Sequence, residues 1–154
     1  MKFLTYKDLM SKSVPPWKQA ERDFEGFFND MGKKAYVHRL TDTAAAKATG
    51  GKGAFVVAQP SDYIGVMPGI TFFGEVKSSQ DLVSFPHSNI KRNQLAQSRR
   101  IIAAGGSYLF FIKSEHFKEW FLVPAQFFIA NIKGKKSTKW TDLAEYKWNP
   151  NELS

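Results

Sequence analysis

The segment PSDYIGVMPGITFFGEVK, residues 60–77, decides the fold of this chain. In Ile70–Lys77 successive side chains alternate between two faces, which predicts a β-strand, and the apolar content predicts an internal position in a sheet. Ser61–Met67 predicts a neighbouring strand, because Pro68-Gly69 is a strong turn signal between the two. We therefore expect two adjacent strands of one sheet.

Two carboxylates and a lysine converge in this predicted strand pair. Glu75 and Lys77 stand two residues apart on one strand face, and the turn folds Asp62 back beside Glu75. Paired carboxylates suit a hard cation such as Mg²⁺, and an adjacent lysine can orient or deprotonate a water molecule. Taken alone, Glu-x-Lys is more often a solvated ion pair, so the rest of the chain decides its meaning.

The remaining sequence predicts helices and further strands. An apolar stripe with helical spacing predicts a helix over residues 17–31, and a second helix is expected from Ser88 to about Ala104. The other predicted elements are strands at 35–40, 54–59, 108–112 and 120–123 and a short helix at 124–132, with 35–40 paired to 54–59. This order predicts an α/β fold with a mixed β-sheet flanked by helices.

Both long helices direct polar side chains toward the core. On the first helix, Glu21 lies about 60° from Phe24 at the centre of the apolar stripe, and Glu25 lies about 100° away. On the second helix, Gln94 falls within the apolar arc, where an amide needs hydrogen-bonding partners. Each has an ordinary alternative, which is a salt bridge at the core rim for Glu21 and a satisfied core amide for Gln94.

Composition limits the classes of function. The chain has 154 residues, enough for a single domain, with the predicted core at about residues 17–130. It lacks cysteine, which excludes thiolate metal sites and cysteine nucleophiles. It shows no signal peptide and no membrane-spanning run, so we expect a cytoplasmic protein. A net charge of +8 favours a polyanionic partner, nucleic acid first.

Basic residues cluster in two segments that we expect outside the core. Residues 41–54 are small and Gly-rich, which predicts a projecting flexible loop or hairpin. Residues 133–154 begin with a lysine-rich stretch and are predicted to form a basic tail. The candidate DNA contacts are Lys47, Lys52, His87, Lys91, Arg92 and Arg99.

The set of Asp62, Glu75 and Lys77, after a helix with an inward acid, resembles the PD-(D/E)xK nuclease superfamily. The chain is more specifically similar to the RecU-type Holliday junction resolvases through PSDYIGVMPGITFFGEVKSS, SFPHSNIKRNQLAQ, YLFFI and EWFLVPAQFF, in this order. Ser61 departs from the usual Thr of that family. The chain is also shorter than the bacterial cellular members, and a compact version would suit a bacteriophage.

The resemblance implies a restriction-endonuclease-like core and an endonuclease that uses Mg²⁺, with Mn²⁺ as a substitute, to resolve branched DNA at four-way junctions as a homodimer. It implies as catalytic residues Lys77, Asp62, Glu75, Glu21 and Gln94, with Asp62, Glu75 and Glu21 as metal ligands. Glu25 is the alternative helix acid, and the loop at 41–54 matches a stalk suited to the open centre of a junction. Two other functions stay open: a related nuclease of duplex or flap DNA, and a junction-binding protein that does not cleave.

Overall fold

The computed structural model describes residues 14–40 and 58–153, and the predicted loop at 41–54 lies outside them. Within them lie the helices α1 (Pro16–Asp30), α2 (Arg92–Ala103) and α3 (Ala125–Asn131). The strands are β1 (Tyr36–Arg39), β2 (Tyr63–Met67), β3 (Ile70–Ser79), β4 (Ser84–Pro86), β5 (Tyr108–Ser114), β6 (Glu119–Pro124) and β7 (Ser137–Lys139). Short 3₁₀ segments occupy Gly32–Lys34, His87–Asn89, Trp140–Tyr146 and Pro150–Leu153. No helix in this described part of the chain has the length and apolar character needed to cross a membrane.

Five strands form one mixed sheet in the order β1-β2-β3-β5-β6. β3 and β5 run parallel at its centre, with α2 in the connection between them, and the other neighbouring pairs are antiparallel. β4 and β7 form a separate two-stranded sheet. The structure therefore confirms the predicted mixed sheet flanked by helices, and β3 is internal as residues 60–77 indicated.

Helix α1 covers one face of the sheet. It begins at Pro16, where the missing backbone N–H would have no helical partner in any case. Its apolar stripe, which includes Phe24 and Phe28, is buried in one cluster together with Phe72 and Val76 of β3. Burial of this stripe is what holds α1 against the sheet.

Helices α2 and α3 cover the opposite face. Leu95 of α2 and Phe128 of α3 join Phe110 of β5 in a second buried cluster, and Phe73 of β3 packs against it. Neighbouring residues of β3 thus contribute to clusters on opposite faces, which confirms the predicted alternation. Because side chains alternate along a strand, Glu75 shares the face of Phe73, on the side of α2.

The start of α2 differs from the prediction. The helix begins at Arg92 with Lys91 at its N-cap, whereas Ser88 lies in the preceding 3₁₀ turn and does not cap it. The reason is that Ile90 is in an extended conformation, which separates the turn from the helix.

Strand β1 forms one edge of the five-stranded sheet and pairs with β2. The predicted strand at 54–59 lies mostly outside the described residues, so its pairing stays a prediction.

The C-terminal segment belongs to the core, so the predicted basic tail and the core limit near residue 130 were wrong. Trp140 and Leu143 are buried members of the second cluster, and β7 pairs with β4. Lys147 also makes a β-bridge with Phe121 of β6. The sequence pattern did not reveal this because a three-residue strand and a 3₁₀ segment are too short to show helical or strand periodicity.

Candidate active site

The β2–β3 hairpin brings the predicted carboxylates together. Tyr63 of β2 pairs with Gly74 of β3, so Asp62 and Glu75 flank this pair on adjacent strands. The backbone carbonyl of Asp62 accepts a hydrogen bond from the Leu40 N–H at 2.8 Å, which fixes the entry to β2. The Asp62 carboxylate lies close enough to interact by hydrogen bonding with that of Glu75.

Glu75 lies at the centre of this site and is almost completely buried, at 1% exposure. The hydroxyl of Tyr108, at the start of β5, donates to Glu75 Oε1 at 2.7 Å. The side-chain amide of Gln94 donates to Glu75 Oε2 at 3.1 Å. Each carboxyl oxygen therefore has a neutral donor, as buried polar atoms require, and the side chain is fixed in position.

The amide of Gln94 is itself oriented by the start of α2. Its Oε1 accepts a hydrogen bond from the Lys91 backbone N–H at 2.9 Å, so its Nε2 is left to face Glu75. This is half of a capping box, in which a side chain in the first helical turn satisfies a backbone donor at the helix start. The predicted inward position of Gln94 is explained by these two bonds together.

Burial shifts the proton affinity of the central groups. Desolvation, followed by the nearby Asp62 carboxylate, raises the pKa of Glu75 to about 9. Desolvation lowers the pKa of Lys77 from its ordinary value, although the negative charges of Glu75 and Asp62 oppose the shift. The site therefore contains an acid that resists ionisation beside an amine that loses its proton more readily.

The helix acids occupy a neighbouring polar cluster. Glu21 is buried and its Oε2 accepts a hydrogen bond from the guanidinium of Arg39. Burial raises the pKa of Glu21, Arg39 opposes the shift, and the charge of Asp62 adds to it, so this acid lies near the carboxylate pair. Glu25 accepts a hydrogen bond from the Tyr63 hydroxyl at 3.1 Å and lies 3.8 Å from Arg39. Of the two helix acids, Glu21 is the one that lines the same cleft as Asp62.

The donor set fits a small divalent cation. Within residues 14–40 and 58–153, no group of three or more His, Asp or Glu side chains is gathered closely enough to hold a metal ion by itself. Mg²⁺ does not need such a group, because it is commonly bound through one or two carboxylates together with water and substrate phosphates. The close pair of Asp62 and Glu75, whose mutual repulsion a cation would relieve, meets this requirement.

A cleft of about 1000 Å³ gives access to these groups. Its lining includes all five predicted catalytic residues, which are Glu21, Asp62, Glu75, Lys77 and Gln94. Lys91 also lines the cleft, and its positive charge acts on Lys77. Arg92 and Arg99 are exposed on α2. Lys47 and Lys52 lie outside the described residues, so their predicted contacts stay predictions.

His87, one of the predicted DNA contacts, has both ring nitrogens occupied within the fold. It is buried, with Nδ1 at 2.9 Å from the Lys135 carbonyl oxygen and Nε2 at 2.6 Å from Thr138 Oγ1. The two ring nitrogens thus connect the residue after β4 to β7 and to the segment just before β7. A contact between the ring and a phosphate would require these bonds to break.

Sequence reasoning missed two polar residues of the site. Tyr108 was included in an apolar strand, yet its hydroxyl contacts Glu75. The sequence pattern assigns no role to Arg39 on β1, yet Arg39 binds Glu21. A signal was available for Tyr108, because a buried tyrosine hydroxyl requires a partner. In the structure Tyr108 pairs with Phe73, which shares a strand face with Glu75. For Arg39 no local signal existed, since the residue that it binds lies 18 positions away.

Comparison with known proteins identifies the family and the fold of this chain. The family model of RecU, recombination protein U, matches residues 32–152. The structure of Hjc, a Holliday junction resolvase from the archaeal hyperthermophile Archaeoglobus fulgidus, superposes with a TM-score of 0.57 at 14% identity, over 88% of this chain and 95% of that chain. This likeness confirms the predicted restriction-endonuclease-like fold. No curated protein sequence matches the chain significantly. Because the family model covers most of its length, the chain belongs to the RecU family of Holliday junction resolvases.

Proposed function

We propose that this protein is a Mg²⁺-dependent endonuclease that resolves four-way DNA junctions by paired symmetric nicks. Membership of the resolvase family implies a nuclease that binds branched DNA. The observation that carries the finer proposal is the close pair of half-buried Asp62 and buried Glu75 beside Lys77 in an open cleft. The two carboxyl groups, the lysine amine and a cleft that admits a substrate are thus present at one site.

Asp62 and Glu75 would hold the cation, with Glu21 completing the site from α1 and Mn²⁺ able to replace Mg²⁺. When bound, the ion lowers the pKa of a water ligand and offsets the charge that develops on the phosphate. The hydrogen bonds from Tyr108 and Gln94 keep the Glu75 carboxylate in one orientation. Such a fixed ligand loses little conformational freedom on binding.

Lys77 would act on the attacking water. Its lowered pKa increases the fraction of the neutral amine, and a neutral Nζ can accept a proton from water. In its protonated form the same atom can instead donate a hydrogen bond to a phosphate oxygen. The products expected from this resemblance carry 5′-phosphate and 3′-hydroxyl ends.

Basic side chains around the cleft would bind the phosphate backbone. Lys91 lines the cleft next to Lys77, and Arg92 and Arg99 continue the positive charge along α2. The lysines of the loop at 41–54 would extend this surface toward the junction centre. Since resolution needs two opposed nicks, a homodimer with two-fold symmetry would supply the second active site.

A cleavage assay tests this function. Purified protein is incubated with labelled four-way junction, linear duplex and flap DNA, with Mg²⁺ or with EDTA, and the product ends are mapped. We expect symmetric nicks in the junction only with Mg²⁺. Equal cleavage of duplex or flap would favour a different nuclease of the superfamily, and Mg²⁺-independent binding without nicking would favour a junction-binding protein.

A further inference from the structure

Two exposed aliphatic side chains lie beside each other after the end of β3. Leu82 is 58% exposed and Val83 is 64% exposed. In the part of the chain that the structure describes, they are the two large hydrophobic residues that are both exposed and adjacent in sequence. Single exposed hydrophobic residues are ordinary, but a contiguous pair at a functional surface indicates a contact.

The backbone that carries this pair is firmly anchored. The Asp81 carboxylate accepts hydrogen bonds from the N–H groups of Val83 and Ser84, both at 2.9 Å. Buried Trp140 donates its indole N–H to the Asp81 carbonyl at 2.9 Å and its backbone N–H to the Val83 carbonyl at 3.1 Å. The two side chains therefore project from a fixed turn, so binding them would cost little conformational entropy.

Residues that line the catalytic cleft lie on both sides of this turn in the sequence. Ser79 and Gln80 line the cleft immediately before it, and Ser88 lines the cleft soon after it. Leu82 and Val83 do not line the cleft themselves, but they follow Gln80 by two and three positions, just after the strand that carries Glu75 and Lys77. A DNA strand bound in this cleft would pass close to Leu82 and Val83.

We propose that Leu82 and Val83 form an apolar wedge that contacts base faces at the branch point of the DNA. This inference rests on the proposed function, because it assumes that branched DNA occupies the cleft. Aliphatic side chains are used in other DNA-binding proteins to enter between base steps and unstack them. At a branch point stacking is already interrupted, so the cost of inserting the pair is lower there than in a duplex. The wedge would therefore favour junctions over linear DNA.

A second copy of this chain is the other occupant that the pair could contact. Position favours DNA, since the pair adjoins the cleft in a protein of net charge +8, and the cleft-lining residues include Lys18 and Lys91. Bases offer an apolar face between two charged backbones, which matches an apolar pair next to basic side chains. The experiment below separates these two occupants.

The test uses a four-way junction with 2-aminopurine beside the branch point, because the fluorescence of this base rises when it unstacks. Binding is measured in EDTA, so no strand is cut, for the wild type and for the Leu82→Ser/Val83→Ser double variant. Two controls are Phe117→Ser, which removes an exposed aromatic residue from the β5–β6 turn, and Leu82→Met/Val83→Ile, which keeps the pair apolar. Thermal unfolding and sedimentation confirm the fold and the oligomeric state of each variant.

We expect the wild type to raise the fluorescence and the double-serine variant to lose most of that rise, with junction affinity about 10-fold weaker and duplex affinity within about 2-fold. Both controls should behave as the wild type. An unchanged fluorescence and affinity in the double-serine variant would overturn the wedge. Conversion of that variant to a smaller oligomer would overturn it in favour of a contact between copies.

Failure of the proposed function would look different, because it would already appear in the wild type. A wild type that neither prefers nor nicks the junction would overturn the function, and the wedge with it. A wild type that binds and nicks the junction without any fluorescence change would overturn the wedge alone.

Discussion

Two buried acids, Glu21 and Glu75, line the same cleft, but different kinds of side chain contact their carboxyl groups. Glu21 on α1 contacts the guanidinium of Arg39. Glu75 on β3 is contacted by the neutral donors Tyr108 and Gln94 and lies beside the like charge of Asp62. The charge of Glu21 is thus balanced within the fold, whereas the Asp62–Glu75 pair gains most from a cation that comes from outside.

This difference gives Glu21 a different expected role from that of Asp62 and Glu75, although the sequence resemblance implied that all three are metal ligands. Burial first, and then the nearby Asp62 carboxylate, raise the pKa of Glu75, and a cation bound between the two side chains would favour the ionised form of Glu75. Glu21 would have to leave Arg39, or share its carboxylate, before it contributed to the same ion. We therefore expect Asp62 and Glu75 to be more important for activity than Glu21.

The largest effect should come from removing one member of the carboxylate pair. Glu75→Gln keeps the volume of the side chain but removes the ionisable carboxyl and replaces one acceptor oxygen with an amide NH₂, and Asp62→Asn does the same at the neighbouring position. Each variant should lose detectable nicking of a four-way junction while it still binds the junction in EDTA. Glu25→Gln serves as the matched control and should nick normally. Near-wild-type cleavage by both pair variants would refute the assignment.

Lys77→Ala should have the next largest effect. If Nζ accepts or positions a proton of the attacking water, the single-turnover rate should fall by about 10²-fold or more. Junction affinity should change little, because Lys91 remains beside the site. A rate within a few-fold of the wild type would show that Lys77 only offsets charge. Lys91→Ala provides the comparison, since we expect it to weaken binding more than it slows the cleavage of bound DNA.

The sequence predicted the site better than it predicted the periphery. Alternation in β3 and the Pro68-Gly69 turn are local signals, and both are strong because one face of each strand must be buried. They sufficed to place Asp62 beside Glu75 and to put Lys77 on the same strand face. Gln94 was found because helical periodicity is equally local.

Contacts between distant parts of the chain could not be predicted in this way. Arg39 binds Glu21 across the gap between β1 and α1, and Trp140 anchors the turn at Asp81 from 59 positions away. Neither contact leaves a periodic pattern in the sequence, because each depends on the tertiary fold. For the same reason the sequence pattern predicts a tail at the C-terminal segment, although Trp140 and Leu143 complete the core.

Removal of the metal should have a smaller effect, a change in the unfolding temperature. This measurement distinguishes Glu21 from Glu75 without any DNA. A ligand that binds only the folded state stabilises it, by about 2.7 kcal/mol when its free concentration is 100-fold above its Kd. Mg²⁺ should therefore raise the unfolding temperature of the wild type relative to EDTA. Glu75→Gln should abolish this rise. If Glu21→Gln abolishes it as well, Glu21 is a ligand; if the rise persists, Glu21 acts on the site only through its charge.

The smallest effects concern the stability of the Glu21–Arg39 pair in EDTA. The side chain of Arg39 is 49% exposed and that of Glu21 only 10%, so the two partners differ in what remains after substitution. Glu21→Gln leaves a guanidinium that water can solvate, and unfolding free energy should fall by less than about 1 kcal/mol. Arg39→Gln leaves a buried carboxylate without its partner and should cost more, about 1–2 kcal/mol. The double variant should recover most of that loss, which urea titrations of all three proteins would measure.

Arg99→Gln, another exposed arginine substitution, is the control and should stay within about 0.5 kcal/mol of the wild type. Equal losses for the two single variants would contradict the view that the fold itself balances the charge of Glu21.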